Sequence, residues 1–305
     1  MTLERYLNQV VRLRIGRAGG HERPHKPALL LAVVSLIESG RLPENQLTYG
    51  PELFEVYRKY FEVVQSEGDA INMLDPFWRL KSDGLLEPIP QSGFENIVEG
   101  QGTPPSVGQL HKAIKYSKLP DELFALLQDP AAREELRQAI VSRYFAAKAS
   151  TLDDLARQER SIGEYERRLE EDKEQPPEPE EPVRAQAFRR VILRAYDYRC
   201  AACGLRVVLD DLVLVEAAHL VPWAVSRDDN PRNGIALCKN HHWAMDRSLI
   251  APTPRMIWAV SKCLDERIEG QRDLIGLRDQ TVIPPRDERF RPTSDALSWR
   301  QKYLR

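Results

Sequence analysis

Apolar residues recur at helical intervals through most of the first 150 positions. Residues 3–13, 27–39, 52–64 and 121–144 carry this spacing, and the last stretch divides into two helices near Asp129-Pro130. Pro27 suits the first turn of its helix and Gly40 its end. Residues 151–174 are highly charged. Leu152, Leu155, Ile162, Tyr165 and Leu169 form one narrow apolar stripe, which predicts a solvated helix rather than a coiled coil. A further helix is expected over 185–196, with Phe188, Val191, Ile192 and Ala195 on one side. The period then changes. Residues 213–221 are apolar and β-branched enough for a strand, which Pro222 breaks. Residues 230–234, Asn-Pro-Arg-Asn-Gly, read as a turn, and 237–246 as a knuckle followed by a helix. No internal repeat is visible.

The predicted fold class is α+β. A mostly helical N-terminal domain over 1–148 precedes a charged helical and Pro/Glu-rich linker over 149–184, and a metal-bearing domain fills 185–305. Within the linker, residues 175–182 predict an extended polyproline spacer stretched by like charges. A length of 305 residues and a hydrophobic content of 42% suit a protein with two substantial cores. The formal net charge of −2 does not announce nucleic acid, but its distribution is uneven. Lys and Arg against Asp and Glu give −1 over 1–150, −6 over 151–185 and +5 over 186–305. The last region is thus basic, as a partner of a polyphosphate should be. No N-terminal stretch resembles a signal peptide, and no run of about twenty apolar residues suggests a membrane span. A cytoplasmic protein with no membrane partner is the expectation.

Candidate chemistry concentrates in the basic region. Cys200, Cys203, Cys238 and His241 have the spacing of a structural zinc site, a C-x2-C pair followed by a C-x2-H pair. Buried structural cysteines and disulfides are the alternatives, and a reducing compartment argues against the disulfides. Cys263 lies outside the spacing and reads as an ordinary thiol. His219, Asn233 and His242 remain for chemistry.

This set resembles the core of HNH nucleases, the ββα-metal motif. The resemblance covers roughly residues 185–255. It implies that His219, which closes the strand, is a general base that takes a proton from water. It implies that Asn233 braces the loop and reaches the metal, and that His242 binds a catalytic Mg2+, Mn2+ or other divalent ion while His241 faces structural Zn2+. Many family members carry Asp immediately before the base, where this chain has Ala218. That position is similar to the McrA-like branch. It leaves Asn233 as the first choice for a second protein ligand and Glu216 as the next.

In the N-terminal region, the segment from Arg17 through His21, Arg23, His25 and Lys26 gathers cations ahead of a helix, an arrangement suited to phosphate. It reads equally as a solvated helix start. Pro24-His25-Lys26-Pro27, Asp75-Pro76-Phe77-Trp78-Arg79-Leu80 and Ser82-Asp83-Gly84-Leu85 resemble the DNA sulfur-binding domain of McrA-like nucleases. That likeness implies a type IV restriction enzyme that recognises phosphorothioate double-stranded DNA. Pro76 would line an apolar cup for sulfur, flanked by Asp75 and Arg79, with the basic segment holding the backbone; Phe77 and Trp78 read as core. An HNH endonuclease that reads unmodified or otherwise modified DNA stays open, as does a zinc-stabilised DNA-binding protein without catalysis. The sequence also leaves room for a homodimer.

Overall fold

The computed structural model describes residues 3–18, 20–99, 104–171, 179–210 and 212–305. The chain divides into two compact units, Met1–Gly163 and Glu164–Arg305. The fold is α+β, with helices dominating and every sheet two-stranded among the described residues.

The N-terminal unit is built around the helix His25–Glu38, whose residues Lys26 to Ile37 are all buried. A helix apolar on every side has to be a core element. It starts two residues before the predicted position, and Gly40, at φ +75°, ends it where the sequence suggests. Pro51–Val64 packs along it, and Ser35 Oγ lies 2.6 Å from Tyr60 OH at their contact. Leu74–Arg79 buries Phe77 and Trp78 as core residues. Asp121–Leu126 and Pro130–Tyr144 are the two helices expected around Asp129, whose carboxylate caps the second by accepting from Ala131 N. The first helix is shorter than its pattern, ending at Val10.

The division between units falls inside the helix Ala149–Glu170. Its predicted stripe is buried at Leu152, Ile162, Tyr165 and Leu169, with Leu155 partly so. The pattern gave no sign that two carboxylates are buried as well. Glu159 is 0% exposed and pairs with Arg41 and Lys59 in the N-terminal unit. Glu166 pairs with Arg190 and Arg194 in the C-terminal unit. Gly163 packs against Ser39 so closely that an added Cβ would lie 2.8 Å from Ser39 Cα.

Of the expected spacer, residues 175–178 lie outside the described residues. Glu181 and Pro182 are not part of an extended segment, because they open the helix Glu181–Ala195. Proline fits there, since a helix's first turn needs no amide donor. The central hairpin of the C-terminal unit pairs Val215–His219 antiparallel with Gly234–Cys238, in register Val215↔Cys238 and His219↔Gly234. The second strand leads directly into the helix Lys239–Asp246. A second hairpin, Ile250–Pro252 with Trp258–Val260, and the C-terminal helix Ser294–Lys302 complete the unit. No described helix is long and apolar enough to cross a membrane.

Candidate metal centre and catalytic hairpin

Cys200, Cys203, Cys238 and His241 converge as the spacing predicts. Their ligand atoms all lie within 4.8 Å of one another. His241 Nδ1 is 3.1 Å from Cys238 Sγ and 3.5 Å from Cys200 Sγ. Zinc–ligand bonds of about 2.0–2.3 Å around a tetrahedron give edges of about 3.5–3.8 Å, so the cluster fits that ion with little movement. The first knuckle turns through Gly204, at φ +72°, and Ala201 N donates to Ala236 O, which ties the knuckle to the hairpin. Burial pushes the Cys200 and Cys238 thiols up and the His241 imidazole down. A dication would reverse the two thiol shifts by taking thiolates, and would take the imidazole in the neutral form that burial already favours. Cys263 is exposed and stands apart.

His241 and His242 follow one another on a helix, about 100° apart around its axis. The first faces the thiols. The second turns to the other side, where its Nδ1 is 2.9 Å from Glu216 Oε2 and its Nε2 is 3.5 Å from Asp246 Oδ2. An imidazole between two part-exposed carboxylates is a nitrogen and oxygen donor set suited to a divalent ion. Glu216 is therefore the oxygen donor that meets His242.

Asn233 does not take the place expected of it at the metal. It is 4% exposed, and its amide is spent on the following loop. Oδ1 accepts from Val221 N at 2.9 Å, while Nδ2 donates to Val221 O and Asp228 O, each at 3.0 Å. Its geometry is that of a loop brace.

His219 ends the first strand of the hairpin. Its ring stacks on Phe188 with centroids 3.9 Å apart and planes within 4°. Its Nε2 is 2.9 Å from Oδ1 of the fully buried Asp229. Arg300, from the C-terminal helix, donates to the carbonyls of His219 and Leu220 at 2.8 and 2.7 Å and so fixes the strand's end. Asp229 and Arg300 escaped the sequence reading. Neither lies in a motif; the placing of Asp229 depends on Arg184, 45 residues away, and Arg300 reaches His219 across 81 residues.

The N-terminal candidates are placed differently from one another. Arg17 and Arg23 are exposed, with Arg17 3.6 Å from Glu22. Arg143 also binds Glu22 and holds its carboxyl below the usual range. His21 Nε2 is 3.0 Å from Asp69, and His25 Nε2 is 2.9 Å from Ala70 O. Asp75 and Arg79 form an exposed pair at 2.7 Å, which gives the unexpected carboxylate its counter-charge. Two residues depart from expectation. Lys26 is 8% exposed and binds Asp83 Oδ2 at 2.5 Å and Arg14 O at 2.9 Å, so it is not free for a phosphate. Pro76 is buried in the helix Leu74–Arg79, so its ring forms no open cup.

Residues 200–251 match the family model described as HNH endonuclease. No curated protein sequence matches the chain. Three solved structures show partial likeness. The modification-dependent TagI restriction endonuclease is 19% identical, over 41% of this chain and 40% of its own, with a TM-score of 0.31. The sulfur-binding domain of ScoMcrA complexed with phosphorothioated DNA is 19% identical over 50% and 94%, with a TM-score of 0.36. The type IV phosphorothioation-dependent restriction endonuclease ScoMcrA is 14% identical over 90% and 98%, with a TM-score of 0.36. The chain thus matches well under half of TagI, and scores this low carry no argument about activity. Family match and hairpin geometry together make residues 200–251 an HNH endonuclease domain.

Proposed function

We propose that the protein is a modification-dependent, type IV restriction endonuclease of the cytoplasm, which reads phosphorothioate double-stranded DNA with residues 1–148 and hydrolyses a phosphodiester nearby with 185–305. The observation that carries the nuclease reading is His219 fixed at the end of the strand that also carries Glu216, the partner of His242. His219 takes a proton from the attacking water. Asn233 holds the loop that shapes the mouth of the site. Glu216 and His242 would hold a divalent ion, with Asp246 steadying the imidazole, and such an ion stabilises charge on the phosphate and leaving oxygen. The Cys3His cluster would hold zinc as a purely structural ion.

The motifs around Pro24 to Pro27 and Asp75 to Leu80 support the sulfur reading. Sulfur is softer and less hydrated than oxygen, so apolar contact can select it. The burial of Pro76 and Lys26 favours a second reading, in which the N-terminal unit recognises unmodified or otherwise modified DNA. Titration of the full chain against matched duplexes with and without one phosphorothioate separates the two. Tighter binding of the sulfur duplex is expected, and equal affinity across the sequence contexts tried would leave the second reading. Divalent-metal-dependent nicking should fall to a slow residual rate in His219→Ala, while a fully active variant would remove the base assignment.

A further inference from the structure

Asp229 is an expensive residue in its position. It is 0% exposed, and a carboxylate withdrawn from water is costly unless paired. Arg184 supplies the pairing, with one guanidinium nitrogen 2.8 and 2.9 Å from the two carboxylate oxygens. The central guanidinium carbon of Arg184 itself lies over the Trp223 ring, 3.8 Å from its centre. Tyr165 OH adds a longer contact to Oδ2 at 3.3 Å. The other oxygen, Oδ1, is the one 2.9 Å from His219 Nε2.

We infer that Asp229 is the positioning residue of His219, an inference that rests on His219 being the base. Stacking on Phe188 sets the plane of the imidazole but leaves two ring orientations related by a half-turn. An ion-paired carboxylate distinguishes them, because it accepts a hydrogen bond and offers none. It selects the orientation and tautomer with hydrogen on Nε2. The lone pair then sits on Nδ1, the only ring nitrogen left to accept a proton. When water attacks, one proton passes from water to Nδ1 and the freed electron pair of oxygen forms the new P–O bond. The bond to the leaving oxygen breaks with its electron pair. Hydrogen stays on Nε2 throughout, and Asp229 remains ionised beside the imidazolium, as in the carboxylate–histidine pair of serine hydrolases.

The test is Asp229→Asn in the full chain, alone and combined with His219→Ala. A carboxamide can present its NH2 to the ring and so favour the wrong tautomer. The single variant should lose about 100-fold or more in kcat, with KM for duplex little changed and zinc retained. In the His219→Ala background the same substitution should cost nothing further. An equal loss in both backgrounds would reduce Asp229 to a structural role. Near wild-type cleavage by Asp229→Asn, with His219→Ala at its slow residual rate, would overturn the inference and spare the base. Full activity of His219→Ala would sink both. If Asp229→Asn fails to fold, nitrogen NMR of the wild-type protein decides, since a neutral His219 carrying its hydrogen on Nδ1 contradicts the proposed tautomer.

Discussion

Lys26→Ala should unfold rather than uncouple. The sequence places Lys26 at a phosphate, where its loss would lower the slope of log affinity against log salt by about one unit. The structure buries it: its side chain is 10% exposed and that of Asp83 4%. Truncation removes the ammonium that meets Asp83 Oδ2 and Arg14 O, leaving Asp83 with the Arg14 amide, which donates to Oδ1 at 3.2 Å. Breaking a buried pair from one side costs about 3–5 kcal/mol, because the other charge stays behind uncompensated. For a unit of this size each kcal/mol moves the midpoint by about 2–4 °C, so the N-terminal transition should fall by about 6–20 °C. Thermal melting of the full chain measures this. Lys26→Met with Asp83→Asn should recover much of the loss, since a neutral pair strands no charge. An unchanged midpoint in Lys26→Ala, together with a flatter salt dependence of DNA binding, would refute the burial reasoning and restore the phosphate contact.

Adjacent histidines should separate by assay: His241→Ala loses zinc and destabilises the C-terminal unit, whereas His242→Ala keeps zinc and loses nicking. Zinc unchanged in the first and lost in the second, by elemental analysis, would reverse the assignment. Gly163→Ala should destabilise by about 1–3 kcal/mol in chemical denaturation, since the added methyl meets Ser39 backbone and outweighs the helix-propensity gain of about 1 kcal/mol; a stabilised variant would deny the close approach. Zinc retention should fall on acidification. Burial holds the Cys200 and Cys238 thiols up, so binding must displace their protons and acid returns them. Occupancy that does not change from neutral to mildly acidic buffer would contradict this.

Elements set by local pattern were legible in the sequence. The break at Asp129-Pro130, the helix end at Gly40 and the buried stripe at Leu152, Ile162 and Leu169 follow from capping chemistry and spacing within a few turns. The zinc knuckles were legible for the same reason, because each half lies within four residues. What escaped depends on distant partners. Nothing local tells which of Asp228 and Asp229 turns inward, and Arg184, which decides it, lies 45 residues away. Lys26 looks like a phosphate ligand until Asp83, 57 residues on, is brought to it. Asn233 was assigned to the loop and to the metal together. Only the positions of Val221 and Asp228 show that both ends of its amide are already engaged.

The helix Lys239–Asp246 is eight residues long and carries a thiolate-side ligand next to a carboxylate-side one. Chelators acting on such an arrangement run on two clocks. An ion held by oxygen and one imidazole exchanges quickly, and its removal is undone by adding it back. An ion gripped by three sulfurs leaves slowly, and with it goes the constraint that aims His242 at Glu216. Early inactivation is then a reversible vacancy, and late inactivation is a loss of shape that returning the first ion cannot repair.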